Sequence, residues 1–240
     1  WLLRILVILP GFTEGAQAEP TSPLQSMQIH ANRATSSLLL YRGEGFQKAH
    51  LLRLEEDIRA LNAALLQVAN PTSALRESHL ELQTRLREGA SFGYKEDDMP
   101  WGWPLQMSKA LRDFLTAARA QQGANAEAEL PAKGEYLAAH YPSRAHIGSS
   151  EIAREQPDTY LGQDERNLVP AIDAQLAGLD GKRDPALAKL KTRWDFLKVE
   201  REDMKSASNN RATASGRPFA PIMVDRHARS LSDQWMAAKP

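Results

Sequence analysis

Leu51, Leu54, Ile58, Leu61, Leu65 and Val68 fall at alternating steps of three and four, a spacing that puts all six on one side of an α-helix. Arg53, Glu55, Glu56, Asp57, Arg59, Asn62 and Gln67 take the remaining sides, where a helix exterior meets water. A similar seam recurs in the second half at Val169, Ile172, Leu176 and Leu179. An isolated helix with so narrow an apolar stripe is marginal in water, so each seam needs a partner to bury it. Strand-like alternation of any length is missing from the sequence, and the fold class expected is all-α.

The neighbouring segments repeat the same logic. Ser22 followed by Pro23 predicts a helix start, and Met27, Ala31, Ala34, Leu38 and Tyr41 mark the stripe that follows, with Gly43 and Gly45 as its stop. The seam helix is expected to run from about Phe46 to Ala69, and Asn70-Pro71-Thr72-Ser73 turns the chain into a third helix with Leu75, His79, Leu82 and Leu86, stopping at Gly89. After a loop rich in aromatics and acids, Met107, Leu111, Phe114 and Ala118 define a fourth helix closed by Gly123.

The second half follows the same order: a weaker first helix with Leu137, Tyr141, Ile147 and Ile152, a break at Gln156-Pro157-Asp158, the Val169 seam starting or kinking at Pro170, and a turn at 180–185. A helix with Leu187, Leu190, Trp194, Leu197 and Met204 comes next, and after a polar loop at 209–218 a last one with Val224, Ala228, Leu231 and Trp235. Leu82-Gln83-Thr84-Arg85-Leu86 matches Leu190-Lys191-Thr192-Arg193-Trp194, and the Pro104 to Ala118 stretch aligns with Pro221 to Trp235 without a gap. Four echoes in one order predict two tandem, internally duplicated antiparallel four-helix modules, 19–123 and 135–240, joined by a linker at 124–134.

Residues 1–18 read as a signal peptide: a short apolar run beside Arg4, interrupted by Pro10 and Gly11 and followed by Ala16-Gln17-Ala18, with cleavage after Ala18. The run is shorter than the roughly 20 apolar residues a spanning helix needs. Periplasmic or secreted localisation is therefore expected, with no integral membrane segment after cleavage. The sequence contains no cysteine, which excludes disulfides and thiolate metal sites and leaves core packing to hold the fold. The 30 basic residues balance 30 acidic ones and are interspersed with them, which argues against a nucleic-acid partner.

Chemistry-bearing motifs are sparse. No histidine has a glutamate three positions before it, so the helical di-iron pattern is missing, as are His-Glu-x-x-His and Gly-x-Ser-x-Gly. No catalytic residue, cofactor or metal site is assigned on these grounds. The acidic runs Glu55-Glu56-Asp57 and Glu96-Asp97-Asp98 read first as solvated surface. His79 reads as a core-boundary histidine with one hydrogen bond.

Two sets of residues stand out as ligand-binding candidates. Trp101 and Trp103 lie in a Gly/Pro-restrained loop next to Asp97 and Asp98, a pairing suited to stacking on sugars or cationic groups, although rings ahead of a helix also cap bundle ends. His30 with Arg33 and His140 with Arg144 occupy similar places in the two halves and form a candidate anion or ligand pair. The function expected is that of a non-enzymatic, exported helical-bundle protein of the bacterial envelope that binds a protein partner or small ligand. The alternatives are an envelope enzyme acting on glycan with carboxylates beside the Trp101/Trp103 loop, and a small-ligand or metal sensor.

Overall fold

A helix that begins with Ser22 and Pro23 does form. The Ser22 hydroxyl accepts the Gln25 amide at 3.2 Å and satisfies one of the first-turn donors that a helix leaves without an internal partner. The computed structural model describes residues 21–123, 129–147, 159–178, 185–205 and 220–237. The N-terminal apolar run and the cleavage site expected after it, the break expected at 156–158, most of the turn at 180–185 and the loop expected at 209–218 lie outside those residues. Among the described residues the protein is all-α, with eight α-helices and no strand. They are α1 (Pro23–Gly43), α2 (Lys48–Leu66), α3 (Ser73–Ser91), α4 (Trp103–Gln122), α5 (Leu130–Ile147), α6 (Glu165–Ala177), α7 (Pro185–Lys205) and α8 (Ala220–Ala237). No helix among them is long and apolar enough to cross a membrane.

Boundaries shift where local chemistry is richer than periodicity alone. The α6 helix starts at Glu165 and not near Val169, because the Asp164 carboxylate accepts the Arg166 amide at 2.8 Å and caps it, so that Pro170 falls inside the helix. Helix α5 begins at Leu130, which puts Pro131 in its first turn, where a missing N–H costs nothing, and makes the last residues of the expected linker helical. The third helix runs two residues past Gly89 to Ser91. Gly89 has a packing role instead. A Cβ there would lie 2.3 Å from the Trp103 ring, so the glycine makes room for it.

Helix α1 is the hub. It packs against α2, α3, α4, α5 and α8, and 15 of its 21 residues are buried. The expected apolar stripe of Met27, Ala31, Ala34, Leu38 and Tyr41 is buried, but so are Gln25, Gln28, Asn32, Arg33, Thr35, Ser36 and Ser37. Periodicity predicts one covered face; the fold covers nearly all of them, because α5 and α8 close over the polar side. The short connection after Gly43 folds α2 back along α1, and the α2 seam buries Leu54, Ile58 and Leu61 fully and Leu51, Leu65 and Val68 in part.

Helices α3 and α4 form a second antiparallel pair, joined across by Thr72 to Gln121 at one end and Arg85 to Gln106 at the other. In the second half α5 packs on α6 and α8, and α7 packs on α8. Arg33 meets Glu135 and Gly43 meets His146, so α1 and α5 run parallel. A Cβ on Gly43 would overlap the His146 ring, which assigns that glycine to helix contact as well as to the helix end.

Candidate functional site

The aromatic loop between α3 and α4 is held by Arg42 at the end of α1. Its guanidinium donates to the carbonyls of Gly89 at 2.8 Å, Phe92 at 3.3 Å and Gly93 at 3.4 Å, so it satisfies acceptors that the end of α3 leaves free. It also lies over the rings of Phe46, at 5.2 Å, and Phe92, at 5.7 Å. Burial pushes the Arg42 pKa below its ordinary value, against the opposing effect of Tyr41 and Asp98. Phe46 has a φ of 58°, a conformation uncommon for a bulky residue, and this places its ring edge-on to both Tyr41, at 5.2 Å, and Tyr94, at 4.5 Å. Asp98 accepts the Lys95 amide at 2.9 Å and closes the 3₁₀ turn Glu96–Asp98.

This scaffold separates the two tryptophans. Trp103 is 1% exposed, packs edge-on against Phe92 at 5.7 Å and donates from its indole to the Arg85 carbonyl at 3.3 Å. Trp101 is 95% exposed, and Tyr94, Asp97 and Asp98 are exposed with it. The two rings therefore do not share one binding face. The signal for this was present in the sequence: Trp103, Met107, Ala110 and Phe114 share one helical phase, and Trp101 lies outside it. Because Arg42 is the common anchor, Arg42→Met is expected to cost about 1–3 kcal/mol of stability. Cleavage within 92–102 under limited proteolysis, followed by mass spectrometry, is expected to accelerate.

The second set of residues leads to a buried ionic junction where α1, α2, α5 and α8 meet. Arg33 donates from Nε to Glu135 Oε1 at 2.7 Å, and from Nη2 to Asp233 Oδ1 at 2.7 Å, to Ser232 Oγ and to the Arg229 carbonyl. Arg229 binds Asp57 through two nitrogens, at 3.0 and 2.9 Å, and Asp225 through Nε at 3.0 Å. Ser37 accepts from Arg229 and donates to Asp57, while Ser36 donates to Asp225 at 2.7 Å. Arg53 reaches Asp225 from the half-buried rim at 3.5 Å.

The charges respond to their surroundings in opposite ways. Burial alone raises the Asp57 pKa, yet its contacts with Arg229 and Ser37 outweigh this and hold it below the usual aspartate range; His30 Nδ1, at 3.9 Å, is beyond hydrogen-bond reach. Burial also opposes charge on Arg33 and Arg229, and the facing carboxylates more than compensate, so both stay firmly protonated. Glu135 is different. Its burial outweighs Arg33, Arg229 and Ser232, and its pKa is raised. Burial likewise lowers the pKa of His50, at the edge of this group.

His30 and Arg33 thus belong to the junction. His140 lies edge-on to Tyr136 at 4.4 Å, and the parallel pairing of α1 with α5 puts it about two helix turns further along than His30. Arg144 belongs to α5, its side chain outside the described residues. Asp57, read from sequence as solvated, is buried here, whereas Glu55 and Glu56 are exposed. Glu135, Asp225 and Arg229 are further members for which apolar periodicity carries no signal. A weaker one exists, since Asp225, Arg229 and Ser232 run at steps of four and three directly beside the apolar seam of α8.

Among the described residues no group of three or more His, Asp or Glu side chains is placed to hold a metal ion. Comparison with known proteins finds no matching family model, no matching curated protein and no matching solved structure.

Proposed function

We propose that this chain is a non-enzymatic, exported helical-bundle protein of the bacterial envelope that binds a protein partner through the loop at 92–105. The observation that carries the reading is Trp101, 95% exposed on a loop fixed by Arg42. Leaving so large an apolar ring in water forgoes about 1.5–3 kcal/mol of burial energy. Tryptophan on a pre-organised loop is the residue type that most often anchors a protein contact, because little conformational entropy is lost when it docks. Tyr94 and Leu105 add exposed apolar surface in the same segment.

Export is supported by the apolar run followed by Ala16-Gln17-Ala18. Two related four-helix modules, 19–123 and 135–240, are supported by the sequence echoes and by like pairings in the two halves. Helix α1 packs on α2 and α4 as α5 packs on α6 and α8, and α3 packs on α4 as α7 packs on α8.

The test is site-specific photocrosslinking of the full chain in the envelope of its source cell. A photoreactive phenylalanine analogue at position 101 is expected to give a discrete protein adduct. The same analogue at position 66, where Leu66 is similarly exposed, is expected to give none. No adduct from position 101, or the same adduct from both positions, would refute the reading.

A further inference from the structure

The ionic junction holds an uneven set of charges. Arg33, Arg53 and Arg229 supply three guanidiniums, and Asp57, Asp225, Asp233 and Glu135 supply four carboxyl groups. Asp57 and Asp225 are each bound by Arg229, and Asp233 reaches Arg33 from the solvent side. Glu135 is the one carboxyl left, and it is buried at 1% exposure. Its Oε1 accepts Arg33 Nε and the Ser232 hydroxyl, and its Oε2 is buried with no hydrogen-bond partner among the described residues. A buried carboxylate oxygen without a donor is costly, whereas a neutral carboxyl group in the same place costs far less.

We infer that Glu135 is a pH-responsive latch: its carboxyl group helps hold α5 against α1 and α8 while it carries a proton, and loosens that junction when the proton leaves. The groups facing it come from each neighbouring helix. Helix α1 contributes Arg33, and α8 contributes Arg229 and Ser232, with Asp233 acting through Arg33. On α6 the acidic Glu165 is taken by the Tyr141 hydroxyl at 3.1 Å, nearly two turns along α5 from Glu135. On α5 itself, Lys133 binds Gln175, and Tyr136 accepts the Gly162 amide.

The direction of the effect follows from linkage. The folded-state pKa of Glu135 lies above the unfolded value, so the folded chain binds this proton more tightly. The corresponding stability is present in full below the ordinary glutamate pKa of about 4.3 and is lost as pH rises through the folded value. Asp57 behaves oppositely: its contribution is lost as pH falls through its depressed value.

The experiment compares the full chain with Glu135→Gln, which keeps the shape and cannot ionise. Unfolding equilibrium constants are measured in urea across the pH range above 4. The ratio of wild type to variant is expected to rise with pH by up to about tenfold per unit until Glu135 is fully ionised, then level off. Infrared spectra at a pH where ordinary carboxyls are ionised are expected to show a residual protonated-carboxyl stretch in wild type that the variant lacks. Parallel pH profiles, or a residual band that survives in the variant, would overturn the latch. So would His30→Asn flattening the profile where Glu135→Gln does not. If Glu135→Gln does not fold, wild type decides alone: the band must disappear over the pH interval in which protection of the α8 amides, relative to their intrinsic exchange rates, falls, and its absence throughout would be equally fatal.

Discussion

Arg229→Ala is expected to destabilise the protein by about 3–5 kcal/mol, measured as the change in urea unfolding free energy at neutral pH. Arg229 binds both oxygens of Asp57, one oxygen of Asp225, the Ser37 hydroxyl and the Arg33 carbonyl. Removing it takes from two buried carboxylates, Asp57 and Asp225, the guanidinium that they share. The loss is due more to the stranded acids than to the attraction itself, so Arg229→Met combined with Asp57→Leu is expected to recover part of it. The penalty is also expected to shrink in acid. Arg229 is among the groups that outweigh burial and keep the Asp57 pKa below the usual range, and protonation removes the charge that the variant leaves unpaired.

Trp103→Ala is expected to cost about 3–5 kcal/mol in the same measurement, and Trp101→Ala to stay within about 0.5 kcal/mol. Trp103 fills the space between α3 and α4, lies against Phe92 and sits in the room that Gly89 leaves. Truncating it creates a cavity walled by helices that cannot close. Trp101 has almost no contact to lose. Two tryptophans two positions apart in sequence thus have separate roles, one in stability and one at the surface. Equal costs for the two variants would contradict this division.

Much of the helical framework was legible in the sequence, for reasons that are local. Ser22 with Pro23, Thr72 ahead of α3 and Gly123 after α4 mark helix ends because capping depends on a few adjacent residues. The stripe at Leu54, Ile58 and Leu61 shows its buried face because burial follows the helical repeat. The ionic junction was not legible. Arg33 and Glu135 stand far apart in the chain, as do Asp57 and Arg229, and each has the appearance of an ordinary surface charge until α5 and α8 close over α1. By sequence, His30 and Arg33 form a candidate anion or ligand pair with His140 and Arg144. Arg33 instead meets two carboxyls and a hydroxyl, and His30 stands beside a third carboxyl. Trp103 was half legible, since its phase matches Met107 and Phe114 but its Gly/Pro setting reads as loop.

The junction also bears on how the two halves stand together. Arg33 and Asp57 come from the first half of the chain, and Glu135, Asp225 and Arg229 from the second, so every strong contact in it crosses between them or braces one that does. Native-state hydrogen exchange tests this most directly. The amides of α1, α5 and α8 are expected to share the highest protection and to lose it together in Arg229→Ala, as one cooperative unit. Exchange of 129–237 as a unit of its own, with α1 and α2 unaffected by Arg229→Ala, would contradict the account.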